Sequence, residues 1–423
     1  MSKEIIKSKD QIKQFSKFLL FQVAVIGILW AADSTFFFFE QNMFNTYINS
    51  VLRLNDFYVA IMVSLSAVVG LIMNFVWGIV SDNTRSKYGR RRPFLLFSIF
   101  AGIGMVLYAI SDNYILCVIF DVLLIGITSN ATSVASRALI PDVIDLERRG
   151  RANGIVQAIS YIGLIFGLVL FLIFEDLLES PNIDVSLNGH ILLLTIGGIV
   201  YATSGIIGFI FIKEKPASEL PSRKKFSTEL KELFDLSLIS EQANFFRIII
   251  ASAVYQAGIG SVMAYLFIWI LRDLPFGMSQ LMIAIGIGFI VLLPVAILLG
   301  RIADKYGRKR FLPIVILLIA VAYFLVPLAQ GPPSNFLLFI VLTPFILLGL
   351  LGMNTIINTW AQDTLPEGKK GQFYGIFNVV LTVPQIIGGF AGAFVSLAFG
   401  RVNIFILAAI FFLASIPKLV KVT

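Results

Sequence analysis

Long apolar runs alternate with short polar stretches along the whole chain. Runs of roughly 18–25 residues match the length needed to cross a hydrocarbon core about 30 Å thick. The pattern predicts twelve spans, at 18–40, 57–80, 94–110, 114–140, 152–174, 190–212, 246–270, 279–300, 312–330, 335–360, 372–398 and 402–418. One long polar connection, "KEKPASELPSRKKFSTELKELFDLSLISEQANF" at 213–245, separates them six and six. The predicted fold is an all-α membrane protein. A six-helix bundle with an amino-terminal tail fills 1–212, a central loop 213–245, and a second six-helix bundle 246–423.

Composition agrees with that pattern. The chain is 58% hydrophobic and only 14% charged, with a mean hydropathy of +0.90, whereas a soluble domain carries about a quarter charged residues. The 39 Phe and 33 Gly suit lipid-facing bulk and close helix packing. A single cysteine, Cys117, excludes an internal disulfide and any multi-cysteine metal site. The one histidine, His190, is read at a loop edge and given no role.

The net charge of +8 changes meaning once it is mapped. With the amino terminus inside, 29 of the 33 Lys and Arg fall in cytoplasmic segments. Only Arg53, Arg272 and Arg401 lie outside; Arg137 lies within a span, and Arg247 and Lys418, at the cytoplasmic ends of spans 7 and 12, are counted with the cytoplasmic segments. That asymmetry follows the positive-inside rule. It predicts a multi-pass protein of the cell membrane with both termini cytoplasmic, and leaves no surplus of basic residues for nucleic acid. The opening "MSKEIIKSKDQIKQFSK" reads as a cytoplasmic tail before a retained helix. A monomer in the lipid bilayer is expected.

The two halves repeat. "SDNTRSKYGRRRPF" after span 2 recurs as "RIADKYGRKRFLP" after span 8, placing Gly89 and Gly307 in matching positions. "PDVIDLERRGRANG" after span 4 recurs as "QDTLPEGKKGQFYG" after span 10, and Asp142 and Asp363 each precede a glycine by eight residues. Internal repeats of this kind mark secondary transporters, which bind substrate near the midplane and rock about it. In each loop an aspartate, Asp82 or Asp304, sits beside a glycine turn and a cation cluster, Arg90, Arg91 and Arg92 or Arg308. With Arg137 and Asp142 these residues are expected to form a gate, paired in one state and released in the other.

The duplicated loop is similar to the signature loop of the major facilitator superfamily. Within it, "KYGRRRPF", "SRALIPDV" and "YGIFNVVLTVPQIIGG" resemble segments of the sucrose/proton symporters. That resemblance implies proton-coupled uptake of a di- or oligosaccharide or a glycoside. The chain departs from that family in having Gly126 where span 4 carries a carboxylate, its nearest acid being Asp121. Sodium-coupled glycoside symporters, which share a related basic loop, are the nearest alternative. A drug/proton antiporter is the other. Gly154, Gly163 and Gly167 have the glycine spacing of those exporters, but Leu168 stands where their proline belongs. No nucleophile elbow, phosphate loop or metal cluster points to an enzyme, and no cofactor is expected beyond a coupling ion, H+ or possibly Na+ as the alternative families imply.

Polar groups inside the spans supply the candidate site. At 100° per residue, Gln22, Asp33 and Glu40 line one face of span 1. Asp33 is about 24 Å from Lys17 at 1.5 Å per residue, and Glu40 is read near the outer rim. An ionised aspartate at membrane depth costs at least about 2.5–3.5 kcal/mol. Asp33, Asp121 and Glu40 are therefore the candidate proton-coupling groups. Asp121, Thr128, Thr132 and Ser136 form a polar stripe on span 4 when it is drawn as an unbroken α-helix. The second half offers amides and aromatics, a palette for hydroxyl-rich ligands: Tyr255 and Gln256 in span 7, Asn354 and Asn358 in span 10, and Asn378, Thr382 and Gln385 on one face of span 11. With Gln22, Thr128 and Thr132 they are the candidate substrate-binding residues.

Overall fold

A computed structural model of the chain describes residues 17–145, 148–178, 180–214, 243–306, 308–331, 333–353, 357, 360 and 370–422. The side chains of 150, 151, 243, 278, 293, 296, 297, 300–308 and 370–379 lie outside that description. Its helices are α1 Lys17–Ser50, α2 Asp56–Asn83, α3 Arg92–Ala109, α4 Tyr114–Val143, α5 Arg149–Ile173 and α6 Ile183–Phe211 in the first half. The second half supplies α7 Asn244–Arg272, α8 Met278–Tyr306, α9 Arg308–Gln330, α10 Phe336–Gly352, α11 Lys370–Phe399 and α12 Ile404–Val420. Among the described residues ten helices are long and apolar enough to cross a membrane, and two shorter apolar helices stand at the remaining predicted positions.

The largest departure from the hydropathy reading is the length of α1. Its last ten residues, "QNMFNTYINS", are polar enough to read as a loop, yet they stay helical. The reason is local: Asn42 Nδ2 donates to the Phe38 carbonyl at 2.7 Å, Asn45 Nδ2 to Gln41 at 2.6 Å and Thr46 Oγ1 to Met43 at 3.1 Å. Side chains that bond their own helix carry little penalty on a buried face. α6 likewise starts earlier than predicted, where the Asn182 side chain accepts from the Asp184 amide at 3.0 Å and caps it. His190 is therefore not at a loop edge. It is fully buried within α6, with Nε2 3.0 Å from Thr46 Oγ1 and Nδ1 2.8 Å from the Ser186 carbonyl.

Close helix contacts repeat between the halves. A Cβ on Gly163 of α5 would stand 1.9 Å from the Ala31 carbonyl oxygen of α1, and one on Gly388 of α11 would stand 1.9 Å from that of Ala257 of α7. The first of these contacts is bridged by Thr35 Oγ1, which donates to the Gly163 carbonyl at 2.8 Å. Two π-turns interrupt the α-helical ladder, at Ile119–Ile125 in α4 and Leu348–Gly352 in α10.

The contacts divide the chain into two units, Met1–Tyr47 with Ile72–Phe226, and Ile48–Leu71 with Ser227–Thr423. The hairpin joining α1 to α2 thus belongs to the second unit, where an ion-pair network holds it. Asp56, 2% exposed, accepts from Arg401 through Nη2 at 3.0 Å and Nε at 3.1 Å, from Asn49 Nδ2 at 3.2 Å, and from Ser396 Oγ. Arg401 Nη1 also donates to Asp273, and Arg272 Nη1 to Asn49 Oδ1. Two of the three arginines that break the charge asymmetry are therefore structural donors.

Removing Arg401 strands a buried carboxylate, which costs about 3–5 kcal/mol. Arg401→Ala is expected to lower the melting temperature in detergent by more than Asp56→Asn does. Adding Asp56→Asn to Arg401→Ala should recover part of the loss.

Candidate functional site

Asp33 lies at the midpoint of α1 and is 8% exposed. Three side chains from two other helices of the first unit converge on it. Tyr201 of α6 donates to Oδ1 at 3.2 Å, Ser133 of α4 donates to Oδ2 at 3.2 Å, and Arg137 of α4 brings Nη2 to 3.8 Å from Oδ2. The Tyr201 ring is fixed by stacking on Phe36, one α-helical turn above Asp33, with centroids 4.1 Å apart. Trp30 Nε1 donates to the Ser136 carbonyl at 3.4 Å, which sets this turn of α4 level with Trp30.

Neither Ser133 nor the Arg137–Asp33 pair follows from a straight α4. The π-turn at Ile119–Ile125 contains Asp121 and adds one residue to the ladder. Discounting that residue, at 100° per position, brings Ser133 within about 20° of Asp121 and Arg137 within about 60°. Thr128 and Thr132 rotate away. Thr128 Oγ1 donates to the Leu124 carbonyl at 2.6 Å, and Thr132 Oγ1 lies 3.2 Å from the Phe94 carbonyl. The hydroxyl stripe is thus largely scaffold, and the polar face of α4 is built on Asp121, Ser133 and Arg137. Arg137, expected to pair with Asp142 or the acids of the basic loops, pairs instead with Asp33.

Glu40 is not a rim residue. α1 continues ten residues beyond it to Ser50, about 15 Å. Its Oε2 is shielded from solvent without a hydrogen-bond partner, and the group lies in electrostatic reach of Asp121 first and Asp33 second. The three acids read from the sequence therefore share one neighbourhood. Gln22 does not join them. Its Nε2 donates to the Phe211 carbonyl at 3.0 Å and its Oε1 accepts from the Lys213 amide at 2.9 Å, so it clamps the end of α6.

In the second unit Gln385 Nε2 donates to Gln256 Oε1 at 2.8 Å, joining two of the predicted amides. Thr382 is half-buried on α11. Tyr255 is scaffold: it is fully buried, donates to the Gly349 carbonyl in the π-turn of α10 at 2.8 Å, and stacks on Phe412. Asn354 and Asn358, and the side chain of Asn378, lie outside the described residues. So do Gly307 and the side chains of Asp304 and Arg308. The first unit adds an amide pair that the sequence did not single out, Asn74 Nδ2 donating to Asn130 Oδ1 at 2.8 Å.

At the end of the first unit read as inner, the triple arginine is knotted to the ends of α2, α4 and α6. Arg90 grips Asp142 with Nε at 2.9 Å and with Nη2; Arg91 reaches Asp142 at 3.0 Å, Ser81 and Asp82; Arg92 Nε donates to the Phe209 carbonyl at 2.7 Å. Burial opposes the charge of Arg90, but bonding and attraction from Asp142, with Asp82 and Glu214 behind it, outweigh this and hold it more firmly protonated. Glu214 was missed in the sequence. Its carboxylate accepts from the amides of Arg90 at 2.8 Å, Arg91 at 3.0 Å and Arg92 at 2.7 Å. Gly89 is required there, since it has φ +113° and a Cβ would meet Glu214 Oε1 at 2.6 Å. An acid directly after span 6, facing a loop of three cations, was the available signal.

Repeated helical halves, π-turns within long apolar helices and a buried acid–arginine pair describe a polytopic membrane protein. The profile of the Major Facilitator Superfamily matches residues 23–389, and the chain belongs to that family. Its sequence is similar to a multi-drug resistance efflux pump, PmrA, of Streptococcus pneumoniae, 24% identical over 351 residues that cover 82% of each chain. Its fold is similar to that of the nucleoside transporter NupG, with TM-score 0.72 and 13% identity over 94% of this chain and 98% of that one. It is also similar to that of a D-xylose–proton symporter, with TM-score 0.69 and 14% identity over 96% and 97%.

Glu214→Ala leaves three amides without their acceptor, each worth about 1–3 kcal/mol if it stays dry. Melting temperatures are expected to fall in the order wild type, Glu214→Gln, Glu214→Ala; equal values would remove Glu214 from the knot.

Proposed function

We propose that the chain is a proton-coupled symporter that takes up a sugar, a di- or oligosaccharide or a glycoside, by alternating access. The observation that carries this reading is Asp33, held at the middle of α1 against Arg137. A carboxylate kept from water can be satisfied in two ways, by a nearby cation or by a proton. Asp33 has the first at 3.8 Å, and taking the second would release Arg137. Two ways of balancing one charge make two states, which is what coupling requires.

The partners of Asp33 favour a proton over sodium. Two hydroxyl donors point at its oxygens and a guanidinium stands beside them, so a metal cation would meet a positive charge and misdirected dipoles. The amide pairs Asn74–Asn130 and Gln256–Gln385 supply donors and acceptors of the kind that pair with vicinal hydroxyls. In this reading Asp121 and Glu40 assist the proton path and the arginine knot holds the inner end.

One observation favours a second reading, drug/proton antiport: the relative named as an efflux pump aligns over most of this chain. The glycine at 163 that suggested such exporters is here occupied with helix packing against Ala31.

Purified protein in proteoliposomes, given a panel of labelled glycosides under an imposed proton or sodium gradient, tests the reading. Accumulation driven by protons entering with the sugar is expected. Asp33→Asn should abolish accumulation while keeping exchange of sugar across the membrane. Accumulation indifferent to both gradients would sink symport, and uptake driven only by protons leaving the vesicle would favour antiport.

A further inference from the structure

We infer that an anionic phospholipid docks at the corner of the first unit where the start of α1, the end of α6 and the loop after α2 meet. Its phosphate sits at Lys213, flanked by Lys17 and Lys87, and its acyl chains lie along exposed stripes of α1 and α6. The inference is independent of what the chain carries.

Gln22, a candidate substrate residue by sequence, builds this corner instead. It is fully buried, donates to the Phe211 carbonyl at 3.0 Å and accepts from the Lys213 amide at 2.9 Å. That clamp fixes the end of α6 against the first two turns of α1. Phe21 meets Phe211 edge-on with centroids 5.9 Å apart, and the Lys213 ammonium stands 5.7 Å from the centroid of the Phe18 ring. The loop after α2 reaches the same end of α6. The Tyr88 ring lies 5.3 Å from that of Phe209, and the Lys87 ammonium lies 5.0 Å from the Tyr88 ring.

The cations here divide by type. Arg85, Arg90, Arg91 and Arg92 spend their donors on carboxylate, hydroxyl or carbonyl oxygens. Lys17, Lys87 and Lys213 are exposed, and among the described residues none of the three meets a carboxylate. The nearby acids are already engaged, Glu214 by the amides of three arginines and Asp82 by Arg91. Three charges at one corner therefore lack an anion. A phosphate supplies it, and a compact ammonium on a long stem binds phosphate as a point charge.

The apolar surroundings give that phosphate its tails. Phe18, Phe21, Tyr88 and Phe211 are each about half exposed. Ile199, Ile206 and Ile210, seven and four residues apart, make an exposed stripe along α6, and Phe21 and Ile28, seven apart, make another along α1. Both stripes end at the clamp. Such faces meet acyl chains, while rings and snorkelling lysines at a helix end mark the headgroup level. A soluble anion would use the lysines and leave the rings and stripes uncovered. A zwitterionic lipid would bring its own cation to a corner that already holds three.

The test uses the full chain, delipidated in detergent, with dioleoylphosphatidylglycerol, dioleoylphosphatidylcholine or glycerol 3-phosphate added at matched concentrations. Binding is read by native mass spectrometry and by melting temperature. Phosphatidylglycerol is expected to bind more tightly than phosphatidylcholine and to raise the melting temperature, and glycerol 3-phosphate to do neither. Lys17→Gln, Lys87→Gln and Lys213→Gln together should weaken phosphatidylglycerol binding about 100-fold, at about fivefold per lysine, and leave phosphatidylcholine binding unchanged. Removing as much charge from the second unit, with Lys309→Gln, Arg310→Gln and Lys418→Gln, should change it by less than about twofold. Equal losses in the two triple variants mean attraction by net charge alone and overturn the site, as does equal binding of the two lipids. Stabilisation by glycerol 3-phosphate that matches phosphatidylglycerol makes the corner a soluble-phosphate site and overturns the lipid assignment. Should the first triple variant fail to fold, the three ligands compared on the natural protein decide alone.

Discussion

A charge held away from water must be given a partner, and the structure of this chain is arranged around that constraint. An ion at the bilayer centre costs several kcal/mol, and more without relief. Each well-buried acid described with its partners is met by donors from other elements. Asp33 of α1 is met from α4 and α6; Asp56 of α2 is met from the α11–α12 junction; Asp142 of α4 is met from the loop after α2. Apolar packing holds helices together without choosing one register. These acids supply the choice, because a slip of one residue would strand a carboxylate. The three sites nevertheless differ in kind. Asp142 and Asp56 are gripped by two nitrogens of one arginine, whereas Asp33 is bonded by hydroxyls and only approached by its arginine. Two are fastened and one is adjustable.

That contrast explains how much the sequence revealed. Apolar run length, the distribution of basic residues and the duplicated loops sufficed for the twelve spans and their six-and-six grouping, because those features report directly on lipid and on the repeat. The acids Asp33, Glu40 and Asp121 were legible as candidates because a charge inside an apolar run is conspicuous. Their partners were not. Ser133 and Tyr201 are ordinary polar residues in helices, and the π-turn that brings Ser133 and Arg137 round to the acid face has no hydropathy signature. The end of α1 was misplaced for a related reason. Asparagines that bond their own helix look, in one dimension, like asparagines that leave it.

The repeat persists in packing and lapses in chemistry. Gly163 against Ala31 and Gly388 against Ala257 are the same close contact made in each half, and each allows an inner helix to approach its neighbour without intervening side chains. Both halves also carry a π-turn, in α4 and in α10. In the first half the turn holds Asp121 and redirects Ser133 and Arg137. In the second it offers a carbonyl, that of Gly349, to Tyr255, and the neighbouring amides pair with each other. One backbone device therefore serves titratable groups in one half and an uncharged scaffold in the other.

This division has a physical consequence for where coupling can reside. A charge-balance switch needs its acid, its cation and its supporting donors within a few Å, with fixed relative positions. Asp33, Ser133, Tyr201 and Arg137 all belong to one unit and are set by three of its helices. In the proposed coupling, replacing Arg137 by a proton as the balance for Asp33 would then need no separation of those helices. In that proposal Arg137 is the element that responds, since its described contact with Asp33 is an attraction at 3.8 Å rather than a bond. The fastened pairs at Asp142 and Asp56 could not do this, because releasing their arginines would break bidentate bonds and leave the acids uncovered.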